Sequence, residues 1–196
     1  MGKFLWNLQA RIYPWLKEVP GLNFFPYQER QALSNLIKQI SPSYFTKVLD
    51  LGVGPGNYLA LFPTKPKVVC GLDYSLKMLK IVQKKLPQIF LINGSLCLLP
   101  LKKRSFSLVL CIGVSEYIKN KEKLIQDIAS LLTTPGMAIF SVSKKNLLNY
   151  LRTSLGHHLF LCSPEYQEKL FTQHHLIIKA QQSTTLQIQY LLQKTD

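Results

Sequence analysis

Lys47-Val-Leu-Asp-Leu-Gly-Val-Gly-Pro-Gly56 is the stretch on which the fold turns. The run Val48 to Leu51 carries one acid, Asp50, and is followed by glycines at alternate positions, Gly52, Gly54 and Gly56. A short apolar run bounded by glycines reads as a buried parallel strand. The glycines let the backbone turn sharply and lie close against a ligand. A strand leading through such a loop towards a helix is the usual start of a nucleotide-like site. The spacing narrows the ligand. A dinucleotide loop runs G-x-G-x-x-G and sets a pyrophosphate on the next helix. Here the third glycine comes one residue early, and no G-x-x-x-x-G-K-[ST] cradle is present. Asp50 would repel phosphates but could attract an amine or a sulfonium.

Lys67-Val-Val-Cys-Gly-Leu-Asp73 reads as the second strand, with an acid at its carboxyl end. Asp73 lies in the window, about 20 residues beyond the loop, where a carboxylate accepts both ribose hydroxyls. The glycine loop with its leading acid resembles motif I of the class I S-adenosylmethionine-dependent methyltransferases. Asp73-Tyr-Ser-Leu-Lys-Met78 resembles that family's D-x-S-x-x-M-L segment. The resemblance implies S-adenosyl-L-methionine as cofactor, held by Asp50, Gly52, Gly54, Gly56 and Asp73, with Tyr74 and Met78 flanking the adenine. Core packing is the competing role for Met78, which shares a helix with Leu79 and Val82. Asn93-Gly-Ser95-Leu96 stands where the family reads G-D-A, so Ser95 replaces an aspartate. Either its hydroxyl or the Leu96 N–H would then meet the adenine. A neutral hydroxyl bond is roughly half as strong as a charge-assisted one. Cys111, near the end of the fourth strand (Ser105 to Gly113), completes the cofactor set.

Val114-Ser-Glu-Tyr-Ile118 stands where the ubiquinone/menaquinone methyltransferase-like (type 11) group often has V-L-E-H-I. Glu116 and Tyr117 are therefore the candidate catalytic residues, competing with roles as a helix-start acid and a packing residue. No [DNS]-P-P-[YFW] follows this strand, which speaks against methylation of base or glutamine amino groups. Ala10-Arg-Ile-Tyr-Pro14 resembles the A-x-x-Y-D segment upstream of motif I, which makes Tyr13 a lid residue over the cofactor.

The rest of the chain fits that frame. Leu33, Leu36, Ile37 and Ile40 form the apolar stripe of a helix over 28–40. Pro14, Pro20 and Pro26 break the aromatic start, residues 1–27, into short pieces. Leu124, Ile125, Ile128, Leu131 and Leu132 mark another helix, followed by a turn at 132–137 and a fifth strand at 138–143. Ser163-Pro164 starts a helix to about His174. Residues 176–184 and 186–192 read as an antiparallel final pair. The expected fold is α/β: a Rossmann-like, seven-stranded, doubly wound sheet with an antiparallel last strand and helices on both faces. One domain over 1–196 is expected, with a helical lid at 1–40, a cofactor core at 45–145 and an acceptor-covering segment with the last strands at 146–196.

Composition sets the outer bounds. The chain has 196 residues, 24 Lys and Arg against 10 Asp and Glu, and four scattered cysteines without C-x-x-C spacing. Buried free thiols are expected rather than disulfides or zinc. His157, His158, His174 and His175 lack further ligands at metal spacing, so no metal is expected. No apolar run of about 18 residues occurs, and the start lacks a signal peptide's apolar core. The protein is expected to be cytoplasmic. The dispersed lysines read as a solvated coat, with RNA as an alternative partner. The aromatic start favours a small or lipophilic acceptor and leaves peripheral membrane contact open. A catalytically silent cofactor-binding module is the alternative of a different class. The sequence names no oligomeric state.

Overall fold

A computed structural model describes residues 24–154 and 159–195. Seven strands form one sheet: β1 (Lys47–Leu51), β2 (Val68–Asp73), β3 (Phe90–Asn93), β4 (Phe106–Cys111), β5 (Leu132–Ser143), β6 (Leu176–Ser183) and β7 (Gln187–Lys194), in the order β3-β2-β1-β4-β5-β7-β6. The pairs β1–β2, β2–β3, β1–β4 and β4–β5 are parallel; β7 runs antiparallel to both β5 and β6. The helices are α1 (Phe24–Ile37), α2 (Leu76–Lys85), α3 (Lys121–Leu131), α4 (Leu147–Ser154) and α5 (Pro164–Gln173).

Strand alternation divides the core into two layers. On one face Val48, Leu108, Leu110, Met137 and Ile139 pack against Leu33, Leu36 and Ile37 of α1. On the other, Leu49, Leu51, Val109, Cys111 and Phe140 pack against Leu124, Ile125 and Ile128 of α3 and Leu170 and Phe171 of α5. A third cluster, Val53, Leu79, Val82 and Ile89, beds α2 beside β2 and β3. Both faces are covered, as a parallel sheet requires. The expected fold and the antiparallel final pair are found.

Several boundaries move. Pro26 does not interrupt the first helix. It sits in the first turn of α1, where a missing N–H costs nothing, so the helix starts four residues early and ends at Ile37. The turn expected at 132–137 lies within β5, which starts straight after α3 with a register shift between Phe106 and Leu108. Leu132 is thus the first strand residue rather than the last helical one. Ser75, Asn120 and Ser163 cap α2, α3 and α5, their side chains accepting from Met78, Lys123 and Tyr166 N–H groups. Helix α4 was not expected from the sequence. Cys70 and Cys111 are buried free thiols, Cys162 is half-buried, and Cys97 is exposed, against expectation.

Candidate functional site

The strand order reverses between β1 and β4, and a crevice opens there at their carboxyl ends, the usual ligand position in an open α/β sheet. The crevice is a cavity of about 760 Å³. At one end the glycine loop is pinned to β2: the Gly52 and Val53 N–H groups both donate to the Leu72 carbonyl, at 2.7 and 3.0 Å. Gly52 has φ +76°, and a Cβ there would stand 2.3 Å from Val114 Cγ1, so loop and post-β4 segment meet through a position only glycine fills. Asp73, at the end of β2, is bonded to the same loop. Its Oδ2 accepts from Gly54 N–H and its Oδ1 from Ser75 N–H, both at 2.8 Å. The carboxylate is thereby fixed in orientation. Burial pushes its pKa up, opposed by those N–H bonds. Tyr74, Met78, Ser95 and Leu96 line this end too, and no Lys or Arg does among the described residues.

The other end is built from three elements that meet only in the fold. Glu116 and Tyr117 follow β4, Arg152 comes from α4, and Glu29 from α1. Glu116 is 3% exposed. Its Oε1 stands 3.6 Å from Arg152 Nη2, and its Oε2 is buried without a hydrogen-bond partner. The same guanidinium donates to Tyr117 Oη at 3.3 Å and to Asn149 Oδ1 at 2.7 Å. Burial, then the neighbouring Glu116 charge, pushes Glu29 up to about 7, with Arg152 opposing. Burial likewise pushes Tyr117 up to about 12.

Residues 49–140 match the methyltransferase domain family (type 11). That stretch, just under half of the chain, carries its similarity to S-adenosylmethionine-dependent methyltransferases. The chain is 25% identical over 113 residues to a ubiquinone biosynthesis O-methyltransferase of Coxiella burnetii, covering 56% of this chain and 48% of that one. An uncharacterised protein of Methanocaldococcus jannaschii is 33% identical over 127 residues, 65% of this chain and 54% of that one. The matched stretch spans between 30% and 54% of the first curated relatives. Among solved structures, magnesium protoporphyrin IX methyltransferase from Synechocystis, with S-adenosylhomocysteine bound, superposes with a TM-score of 0.78 at 18% identity, over 98% of each chain.

The cavity of the methyltransferase domain suits its family's cofactor. Gly113 has φ +69°, and a Cβ there would meet nothing within 4 Å, so the post-β4 backbone faces open space in the crevice. An acid anchored beside the glycine loop, with no cation for a phosphate at this end among the described residues, matches an adenosyl sulfonium. Not every residue expected at the site lines it. Gly52, Gly54, Asp73, Tyr74, Met78, Ser95, Leu96, Glu116 and Tyr117 do. Asp50 does not. It is 1% exposed beneath the loop, its Oδ2 unpartnered, and burial followed by the Asp73 charge pushes it up to about 7. Gly56 turns towards Val82 and Leu86 of the α2 region instead. Cys111 is displaced by strand alternation: it points into the core under α3 and α5. The Ser95 hydroxyl accepts from Cys97 N–H at 3.2 Å, closing its own turn. Tyr13, His157 and His158 lie outside the described residues. Sequence reading missed Glu29 and Arg152. One signal was available for each: an acid four residues after Phe25 on the same helix face, and one of only four arginines in a lysine-rich chain.

Proposed function

We propose that this protein transfers a methyl group from S-adenosylmethionine to a small or lipophilic acceptor. The observation that carries the reading is Asp73, whose two oxygens are held by the N–H groups of Gly54 in the glycine loop and of Ser75, at an end of the crevice that no Lys or Arg lines among the described residues. Asp73 would accept the ribose hydroxyls, Tyr74 and Met78 would flank the adenine, and Ser95 with the Leu96 N–H would meet its edge. Gly52 and Gly54 would let the backbone approach, while Asp50 would bias the buried field towards a cation from beneath. The chemistry supplied by the bound sulfonium is an electrophilic methyl group, which an acceptor lone pair takes in line as the C–S electron pair passes to sulfur. Glu116 and Tyr117 would then orient the acceptor, and Glu116 would take a proton from it where one must be shed.

A basic surface methylating RNA is the second reading, favoured by 24 Lys and Arg against 10 Asp and Glu. The lining of the cavity runs the other way. Among its described residues Glu29, Asp73 and Glu116 are acidic and Arg152 alone is basic. A phosphodiester entering there would be repelled. The test is calorimetry with S-adenosylhomocysteine, NAD and ATP, followed by methyl transfer from labelled cofactor to cell-extract fractions. Binding of the first compound alone, with label appearing in the small-molecule or lipid fraction, supports the proposal. Tight NAD or ATP binding without it would overturn the reading, and binding without any labelled product points to a silent module.

A further inference from the structure

We propose that the acceptor is a basic amine on an apolar body, held through its nitrogen by Glu116 and Glu29; this rests on the methyl-transfer reading and names the acceptor class. Two independent observations converge. The first is an orphan: Glu116 lines the crevice, and its Oε2 is buried with no hydrogen-bond partner among the described residues. A buried carboxylate oxygen left unpaired is costly, and the missing partner must be a donor. The second is a deficit of charge. Among the described residues Glu116 and Glu29 share one cavity cation, Arg152, whose guanidinium is also spent on Tyr117 and Asn149 and stands only within ion-pair distance of Glu116. Lys121 reaches the same neighbourhood from behind, but its Nζ donates to the Ser115 carbonyl and it does not line the crevice. Burial first, and the Glu116 charge second, push Glu29 up to about 7, so in the free protein a proton relieves part of the deficit. An ammonium brings both the donors and the charge. A neutral alcohol brings a donor only, and a carboxylate would bring neither.

The apolar part of the ligand has matching walls. Phe25 and Pro26 precede Glu29 on α1, with Phe25 one turn away on the same face, and Ile118 and Leu186 close the crevice nearby. To become a nucleophile the ammonium must lose a proton. The N–H bond breaks with its electron pair staying on nitrogen, and Glu116 Oε2 takes the proton.

Phenethylamine, 2-phenylethanol and 3-phenylpropionate share one apolar body and differ at the polar end, so they make the test. Each is titrated at pH 8 into the protein with and without saturating S-adenosylhomocysteine. The amine is expected to bind at least about tenfold tighter than the alcohol, with the carboxylate weakest. Glu116→Gln should shrink that preference to about twofold, and Glu29→Gln should reduce it in the same direction, both retaining S-adenosylhomocysteine binding. Equal binding of amine and alcohol to the unmodified protein, or a preference untouched by both variants, overturns the proposal. The unmodified protein decides alone if a variant fails to fold. An amine preference without S-adenosylhomocysteine binding would uphold the subsite and sink the cofactor reading. The reverse pattern would sink the amine and leave the cofactor reading standing.

Discussion

Asp73 and Asp50 are both acids at the glycine loop, yet the environment gives them opposite roles. Asp73 is held by backbone donors, Gly54 and Ser75 among them, and faces the crevice; Asp50 sits below it with one oxygen unpartnered among the described residues. Asp73→Asn keeps the shape and removes the charge, so S-adenosylhomocysteine affinity should fall about 10- to 100-fold by calorimetry, the worth of charge-assisted bonds to hydroxyls. Asp50 should instead govern stability against pH. The folded state holds its proton up to about pH 7, whereas the ordinary value is 3.8. Between those values the folded state binds more protons than the unfolded chain, so stability falls as pH rises through the window. The loss is on the order of 4 kcal/mol. Asp50→Asn should therefore raise the melting temperature more at pH 8 than at pH 4. An equal gain at both would contradict the assignment.

Loop and strand ends form the next scale, and two glycines separate folding from binding there. Gly52 joins the loop to Val114 at a contact with no space for a methyl group, while Gly113 looks onto open cavity. Gly52→Ala should destabilise by about 2–4 kcal/mol, combining overpacking with backbone strain, as read by denaturant unfolding. Gly113→Ala carries only the cost of positive φ, about 1–2 kcal/mol. Its added methyl group should enter the ligand space and weaken S-adenosylhomocysteine binding more than it weakens the fold. The order of the two effects is the measurement. Helix α4 belongs to this scale as well, since its Arg152 ties Asn149 of the same helix to Tyr117 after β4.

Over the whole molecule, charge is distributed unevenly. The net charge is +14, yet among the described residues three acids, Glu29, Asp73 and Glu116, line the cavity and one basic residue, Arg152, does. Lysines can therefore coat the surface without setting the character of the site. S-adenosylhomocysteine binding should change less than about twofold between 50 and 300 mM salt, because no phosphate–lysine contact is displaced. A steep fall in affinity with salt would mean that an anion is being recognised, and the basic surface would have to be brought into the site.

The sequence by itself determined the sheet, its helical layers and the cofactor end of the crevice. Those features are local: the apolar runs of β1 and β4, the stripe on α1, the glycine loop and Asp73 each lie within one segment. Their periodicity or spacing is the physical cause of the structure. Tertiary structure decided what faces what. It buried Asp50, turned Cys111 into the core, and spent the Ser95 hydroxyl on its own turn. It also brought Glu29, Glu116, Tyr117 and Arg152 together from α1, the β4 exit and α4. No spacing rule encodes that meeting, because it depends on β1 and β4 becoming neighbours and on helices packing over their ends, which only the closed core enforces.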